Sequence, residues 1–289
     1  MGQIQDIDTF SLVHFLTQAV QKAGNYAKQA FQKRLVGAFD NFQSSNVRQK
    51  FFKELVIEED LICEKIIIDF IRKEDKSAAI YSEELNNIDL LADDQRDVKF
   101  IIDPLDGTHN FCFGLPYWGI SCAVLDRNNT SIGGAIFIPM LNIFLRCVGS
   151  AAPSQVRSGR GWRLVRTSHK KIEESLVCYD NQFYKLDKEA FAVFESITAS
   201  CFTTRITGSA CCDMALIATG KINARVWNDA NSYDVAAGML IVGNAGGEVV
   251  DFDGMPANIF SKQLVASSNR SLSAQLIHVL RSHRHNPVS

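Results

Sequence analysis

The sequence predicts a mixed α/β protein, with helices and strands arranged in two successive groups. Three observations support this. Apolar residues recur at helical spacing over the first forty residues and again from about Glu59 to Arg72. A run of strands separated by polar turns spans Tyr117 to Val148. Beyond Arg163, short β-rich segments alternate with helical ones.

In the first helix, Leu12, Leu16, Ala19, Val20, Ala23, Ala27, Ala30 and Phe31 share one face, and Gly24-Asn25 is a point of interruption. Asn41 to Asn46 reads as a polar connection. The second helix places Ile62, Ile66 and Phe70 on one stripe, with Ile67 and Ile71 beside it. Ala78–Tyr81 is a strand running into Ser82-Glu83-Glu84, and Val98–Ile102 is a strand running into Asp103. Two strands therefore each deliver carboxylates at their C-terminal ends. The segments 117–125, 133–138 and 142–148 form a meander, and Ala151–Arg163, rich in Ser, Gly and Arg, is expected to be a loop. That loop is the natural seam between an N-terminal half, residues 1–155, and a C-terminal half, residues 156–289. After it come strands at about 174–178, 202–207, 222–227, 248–251 and 263–266. Helices are expected at about 188–200, 209–219, 233–244 and 274–281, with Gly246-Gly247 ending the third of these.

Composition narrows the function. Thirty Lys and Arg face 32 Asp and Glu, a net charge of -2, so nothing suggests generic nucleic-acid binding. The eight cysteines (63, 112, 122, 147, 178, 201, 211 and 212) form no CxxC pair and read as buried free thiols of a cytoplasmic protein. The N-terminus lacks a basic start and an apolar run, and Asp6 fills the place where a myristoylation pattern from Gly2 needs Ser or Thr. No apolar stretch is long enough to span a bilayer. Asn128-Asn129-Thr130 reads as a polar turn, and His283-Arg284-His285 as a solvated end.

The chemistry concentrates in Asp103-Pro104-Leu105-Asp106-Gly107-Thr108. A strand stops, Pro104 fixes a turn, and two carboxylates three residues apart converge on one side of it. Gly107 lets the backbone approach a ligand, and Thr108 adds a hydroxyl. Alone, this is equally an Asp-rich turn with a helix cap. Other acids change the balance: Glu83-Glu84 ends the preceding strand, Asp60 opens the second helix, and Asp234 opens a helix in the other half. Oxygen-rich acid sets of this kind suit an oxygen-ligated cation beside a phosphate.

At this point the sequence resembles the inositol monophosphatase family of lithium-sensitive, Mg²⁺-dependent sugar phosphatases. Asp103 to Phe111 is similar to the motif DPxDGTxNF, and Asp234-Val235-Ala236-Ala237-Gly238 followed by Gly246-Gly247 is similar to WDxAAG…AGG. Glu83-Glu84 resembles a GEE element, and Gly208-Ser209-Ala210 with Ala218-Thr219-Gly220 resembles G-[ST]-A…AxG. The four motifs occur in order over roughly residues 50 to 280. The resemblance implies a layered αβαβα sandwich with the site between two halves. It implies metal ligands at Glu83, Asp103, the Leu105 carbonyl, Asp106 and Asp234 for two or three Mg²⁺ ions. Glu83 and Thr108 would prepare the attacking water, with Asp60 close behind. Candidate substrate contacts are Asp106, Gly107, Thr108, Gly208, Ser209, Ala210, Trp227 and Asp234. The implied activity is hydrolysis of a small phosphorylated metabolite, inositol monophosphate by default, in a cytoplasmic homodimer.

The sequence also departs from that pattern. Ser82 stands for Gly, and Tyr233 for Trp. In Arg225-Val226-Trp227, Trp227 takes the place of a Glu that grips ring hydroxyls in the family; it reads equally as a face for stacking on a substrate and as core packing, and Asp229 is a candidate substitute acceptor. The arginines of Ser158–Arg163 are candidates for a second phosphate. These departures keep fructose 1,6-bisphosphate, 3′-phosphoadenosine 5′-phosphate and histidinol phosphate open as substrates. A regulatory binding protein that retains the fold is the reading from another class.

Overall fold

The computed structural model describes residues 9–36, 47–51, 54–149, 151–180 and 188–285. The chain begins with helix α1 (Thr9–Val36) and a short hairpin, β1 (Val47–Phe51) and β2 (Glu54–Ile57), which leads directly into α2 (Glu58–Glu74). Next come β3 (Ala79–Ser82), β4 (Lys99–Asp106), the short helix α3 (Thr108–Cys112), β5 (Gly119–Leu125), β6 (Ser131–Ile138), β7 (Ile143–Val148), β8 (Gln155–Ser158) and β9 (Gly161–Leu164). In order, β3 to β9 form one seven-stranded sheet, parallel only between β3 and β4. The second group is β10 (Leu176–Tyr179), α4 (Lys188–Ser200), β11 (Thr203–Ile206), α5 (Ala210–Ala218), β12 (Ala224–Trp227), α6 (Ser232–Asn244), β13 (Glu248–Asp251), β14 (Leu264–Ser267) and α7 (Arg270–His285). Its five strands are ordered β11-β10-β12-β14-β13.

Side-chain alternation along the strands assigns each face of each sheet to a different core. Phe100, Ile102, Ile120, Cys122 and Val124 meet α1 and α2. Their neighbours Ile101, Ala123 and Leu125 turn the other way, toward α5 and α6. On the second sheet, Cys178, Trp227 and Ala266 join that same middle layer, while Val177, Tyr179, Val226 and Val265 face α4 and α7. The result is five layers, αβαβα, as the motifs imply. Among the described residues no helix is long and apolar enough to cross a membrane. All eight cysteines are free, and all but Cys201 are buried.

Two local expectations are corrected. Gly24 does not interrupt α1, which runs through it. The glycine is there for contact: a Cβ at position 24 would lie 2.3 Å from a ring carbon of Phe137 on β6. Gly→Ala in a helix ordinarily gains about 1 kcal/mol. Here the sign reverses, and Gly24→Ala is expected to cost about 1–3 kcal/mol by overpacking, measured by urea unfolding. The segment Ala151–Arg163 is not a loop; it contains the β8–β9 hairpin that completes the large sheet. Gly159, at φ +61°, opens its two-residue turn. Trp162 anchors the hairpin with its ring centroid 5.5 Å from that of Phe144 and the Arg146 guanidinium 4.2 Å above it. Polar composition masked this strand pair because it lies near the sheet edge. The sequence features at Gly2–Asp6 and Asn41–Asn46, and the side chains of His283–His285, lie outside the described residues.

Candidate metal centre

The acidic loop is built on a distorted strand. Strand β4 does not stop at Ile102 but continues to Asp106, with its register against β5 broken between Asp103 and Asp106. Asp103 pairs with Ser121 and Asp106 with Gly119, so Pro104-Leu105 oppose a single residue. In a regular strand, residues three apart point to opposite faces. The extra residue of the bulge brings both carboxylates to one side. Gly107 follows in the left-handed region at φ +94°. A Cβ there would meet the Tyr117 carbonyl, Trp118 Cβ and Ser209 Cβ, all within 3.1–3.3 Å, so only glycine fits.

Each carboxylate has its own support. The Leu105 amide donates to Asp103 Oδ1 at 3.2 Å, whereas Asp103 Oδ2 is buried and has no hydrogen-bond partner. Asp106 Oδ2 accepts from Ser209 Oγ at 2.8 Å and from the Cys211 amide, both at the N-terminal end of α5. Asp234 lies in the first turn of α6, where Asn231 Nδ2 donates to it at 3.2 Å. Oxygens of Asp103, Asp106 and Asp234 all lie within 4.8 Å of one another. Asp60, 1% exposed, reaches back to accept from the Ile57 amide at 2.8 Å. Thr108 Oγ1 donates to the Leu105 carbonyl at 3.1 Å and makes a longer 3.5 Å contact with Asp60.

The chain thus brings together Asp103, Asp106 and Asp234, with Asp60 reaching the loop through Thr108. Glu83 follows β3, with its amide bonded to the Ile102 carbonyl, and its charge acts on Asp103. Gly208 sits at φ +77° against the Asn110 side chain, Ser209 caps α5, and Ala210 is the first residue of that helix. Trp227 is placed differently from a pocket wall. It is 2% exposed, part of the middle core, and covered by the Arg225 guanidinium at 4.7 Å. Asp229 lies 3.6 Å from Lys262. Sequence reasoning missed the buried ion pair of Arg225 with Asp213, 7% and 0% exposed at their side chains. The signal was present: each is a lone charge in an otherwise apolar element.

Burial and mutual repulsion dominate the electrostatics. Burial, then the charges of Glu83, Asp106 and Asp234, push the Asp103 carboxyl well above the ordinary carboxylate range. Burial raises Asp106 too, opposed by the Cys211 amide and the Ser209 hydroxyl. Burial, with Asp106 adding to it, takes Asp234 up to about 7. Burial likewise raises Asp60, with the Ile57 amide opposing. Carboxylates this close favour a shared cation or a retained proton. The unpartnered Asp103 Oδ2 among them fits a hard divalent cation, which takes oxygen ligands.

A pH prediction follows from these directions. Carboxyls raised on folding contribute stability that is present below about pH 4 and lost as pH rises through about 7. The melting temperature of the metal-free protein should therefore fall between pH 5 and 8. Mg²⁺ should offset the fall by binding the deprotonated form, and Asp234→Asn should flatten it. Differential scanning calorimetry with EDTA and with Mg²⁺ checks this; a flat metal-free profile for the wild type contradicts it.

A two-sheet sandwich with a carboxylate cluster at the junction of its sheets and middle helices defines a class: layered α/β proteins equipped to bind divalent cations. The chain belongs to the inositol monophosphatase family, whose model matches residues 9–285. Among relatives, the Nus factor SuhB of Haemophilus influenzae is 32% identical over 269 residues, covering 92% of this chain and 94% of that protein. The Nus factor SuhB of Escherichia coli K12 is 29% identical over the same shares. Among solved structures, an IMPase of Thermotoga maritima superposes with a TM-score of 0.78 at 27% identity, covering 95% of this chain and 98% of that one. The extragenic suppressor protein suhB of Bartonella henselae gives a TM-score of 0.80 at 22% identity, covering 94% and 98%, a likeness of fold.

Proposed function

We propose that the protein is a Mg²⁺-dependent phosphomonoesterase that hydrolyses a small phosphorylated metabolite in the cytoplasm. The observation that carries this reading is that Asp103, Asp106 and Asp234 each place a carboxylate oxygen within 4.8 Å of the others; Asp103 Oδ2, buried and without a hydrogen-bond partner, adds to it. These three, with Glu83 and the Leu105 carbonyl, would hold the ions. Bound Mg²⁺ supplies charge neutralisation of the ester, an acidified water and stabilisation of the leaving oxygen.

The chain's own groups do the remaining work. Glu83 would orient the attacking water and accept its proton, and the Thr108 hydroxyl would help orient that water by accepting a hydrogen bond from it. Asp60, anchored by the Ile57 amide, holds Thr108 in place. Helix α5 presents its N-terminal amides beside Asp106, where a phosphoryl oxygen would also be favoured. The water oxygen bonds to phosphorus, the ester P–O bond breaks, the leaving oxygen takes a proton from solvent water to depart as the alcohol, and Glu83 returns its proton to solvent, with inorganic phosphate as co-product. No covalent intermediate with the protein is required.

Inositol monophosphate is the default substrate. Fructose 1,6-bisphosphate, 3′-phosphoadenosine 5′-phosphate and histidinol phosphate are the comparison set. A panel of these esters, ranked by kcat/KM with Mg²⁺, is expected to show release that stops in EDTA, with inositol 1-phosphate highest. Release from every ester at equal rates with and without EDTA overturns the reading.

The relatives named Nus factor favour a second role, binding of a partner by the same scaffold. Such a role should survive loss of the metal site. Partner capture by the Asp234→Asn protein at the wild-type level supports it, and loss of capture together with activity argues against it. A homodimer is expected by sedimentation.

A further inference from the structure

The Arg225–Asp213 pair lies outside the acid set, yet a continuous chain of hydrogen bonds joins it to that set. Arg225 sits on β12 with its side chain in the middle layer, 6% exposed. Its Nη1 donates to two acceptors: the Ser209 carbonyl at 2.7 Å and Asp213 Oδ2. Ser209 in turn donates from Oγ to Asp106 Oδ2 at 2.8 Å, and the Cys211 amide two residues on donates to the same oxygen. Asp213, fully buried on α5, also accepts from the Tyr117 hydroxyl at 2.5 Å and from Thr207 Oγ1 at 2.7 Å. Asn110 of α3 closes the ring, donating to the carbonyls of Tyr117 and Thr207 at 2.7 and 2.8 Å.

Five segments meet in this network: α3 directly behind the acidic loop, the approach to β5, the Thr207–Ser209 turn, α5 and β12. Gly107 and Gly208, the two positive-φ residues of the site, lie inside it. A Cβ at Gly107 would contact Ser209, and one at Gly208 would contact Asn110. The turn before α5 is therefore pressed against the acidic loop with no slack. Arg225 Nε has no hydrogen-bond partner, so the anchoring rests on Nη1, and a charge-assisted bond from Arg holds a carbonyl more firmly than a neutral one.

We propose that Arg225, held by Asp213, is a positioning residue for the metal centre: it locks the Ser209 turn, and through Ser209 and the Cys211 amide it sets where the Asp106 carboxylate points. The inference rests on the metal-site reading above and deepens it. Arg225 touches neither substrate nor metal in this role. It acts through Ser209, as outer groups that orient a ligand do at metal sites, where their removal costs about 10- to 100-fold in metal affinity.

The test separates positioning from packing. Arg225→Met removes the anchor but leaves Asp213 as an unpaired buried charge, so it also destabilises the fold. The double variant Arg225→Met/Asp213→Asn removes that charge, while the Asn oxygen still accepts from one of the Tyr117 and Thr207 hydroxyls and its NH2 group can donate to the other. Mn²⁺ affinity is measured by calorimetry on EDTA-stripped protein, with thermal unfolding measured alongside. The expected result is that the double variant regains much of the melting temperature lost in Arg225→Met, yet binds Mn²⁺ at least about tenfold more weakly than wild type. Arg225→Lys, which keeps a donor and a charge, should recover part of that affinity. If the double variant binds Mn²⁺ as wild type does, the pair is only structural and the inference is overturned. If wild type itself binds no Mn²⁺, the metal-site reading falls first, and this inference with it.

Discussion

Asp103→Asn is expected to abolish most Mg²⁺-supported turnover while making the metal-free protein more stable. Asp103 is 1% exposed, one of its oxygens is unpartnered, and Glu83, Asp106 and Asp234 all disfavour its charge. Asparagine keeps the size and an acceptor for the Leu105 amide, so the loop geometry should survive. It removes one charge from a group of like charges, which favours the folded state when no cation is bound. With the cation, the loss falls on the reaction. Electrostatic stabilisation by a bound ion amounts to several kcal/mol, so kcat should drop by roughly three orders of magnitude. A melting temperature in EDTA at or above wild type, combined with that loss, identifies a site kept for function at the expense of stability. An equal fall in both would mark Asp103 as a structural residue.

The second large effect is on the fold. Trp118 is fully buried, with its ring 5.4 Å from Phe31 of α1 and 5.0 Å from Phe111 of α3. It therefore couples the outer helical layer to the segment carrying the acidic loop, and its Cβ lies 3.2 Å from where a Cβ on Gly107 would stand. Trp118→Ala is expected to cost about 3–5 kcal/mol, since neighbouring rings cannot collapse into so large a space. That corresponds to a fall of on the order of 10 °C in melting temperature. Activity should drop as well, through the loosened Gly107 turn. Urea unfolding at an unchanged m-value checks the stability; a cost below about 1 kcal/mol would mean that the cluster does not hold the layers together.

Much of this was legible in the sequence because periodicity carries it. The alternation of Ile101 and Ala123 against Ile102 and Cys122 is the alternation of two cores. Asp106 and Asp234 were legible because they sit at element ends, whereas Asp103 lies inside β4 and was legible from its motif. What was hidden depended on distance rather than pattern. Gly24 reads as a helix breaker until Phe137 is found beside it. The β8–β9 hairpin is too polar to show a hydrophobic stripe. The bulge at Pro104-Leu105 looks like an ordinary turn, although its register shift is what lets Asp103 and Asp106 converge. Trp227 read equally as a stacking face for a substrate and as core packing, and the structure has it buried in the middle layer against Arg225. Arg225 and Asp213 each stand out as a lone charge in an apolar element, but nothing local says that they pair, because the partner lies in another element.

The central claim is that Asp103, Asp106 and Asp234 bind a divalent cation in the deprotonated form. The most direct measurement is calorimetric titration of Mg²⁺ into EDTA-stripped protein, repeated in two buffers of different ionisation heat. The predicted result is binding accompanied by proton release near pH 6–7, where Asp234 titrates at about 7, with binding lost in Asp234→Asn. No heat of binding in the wild type, or binding of equal strength in Asp234→Asn, would contradict it.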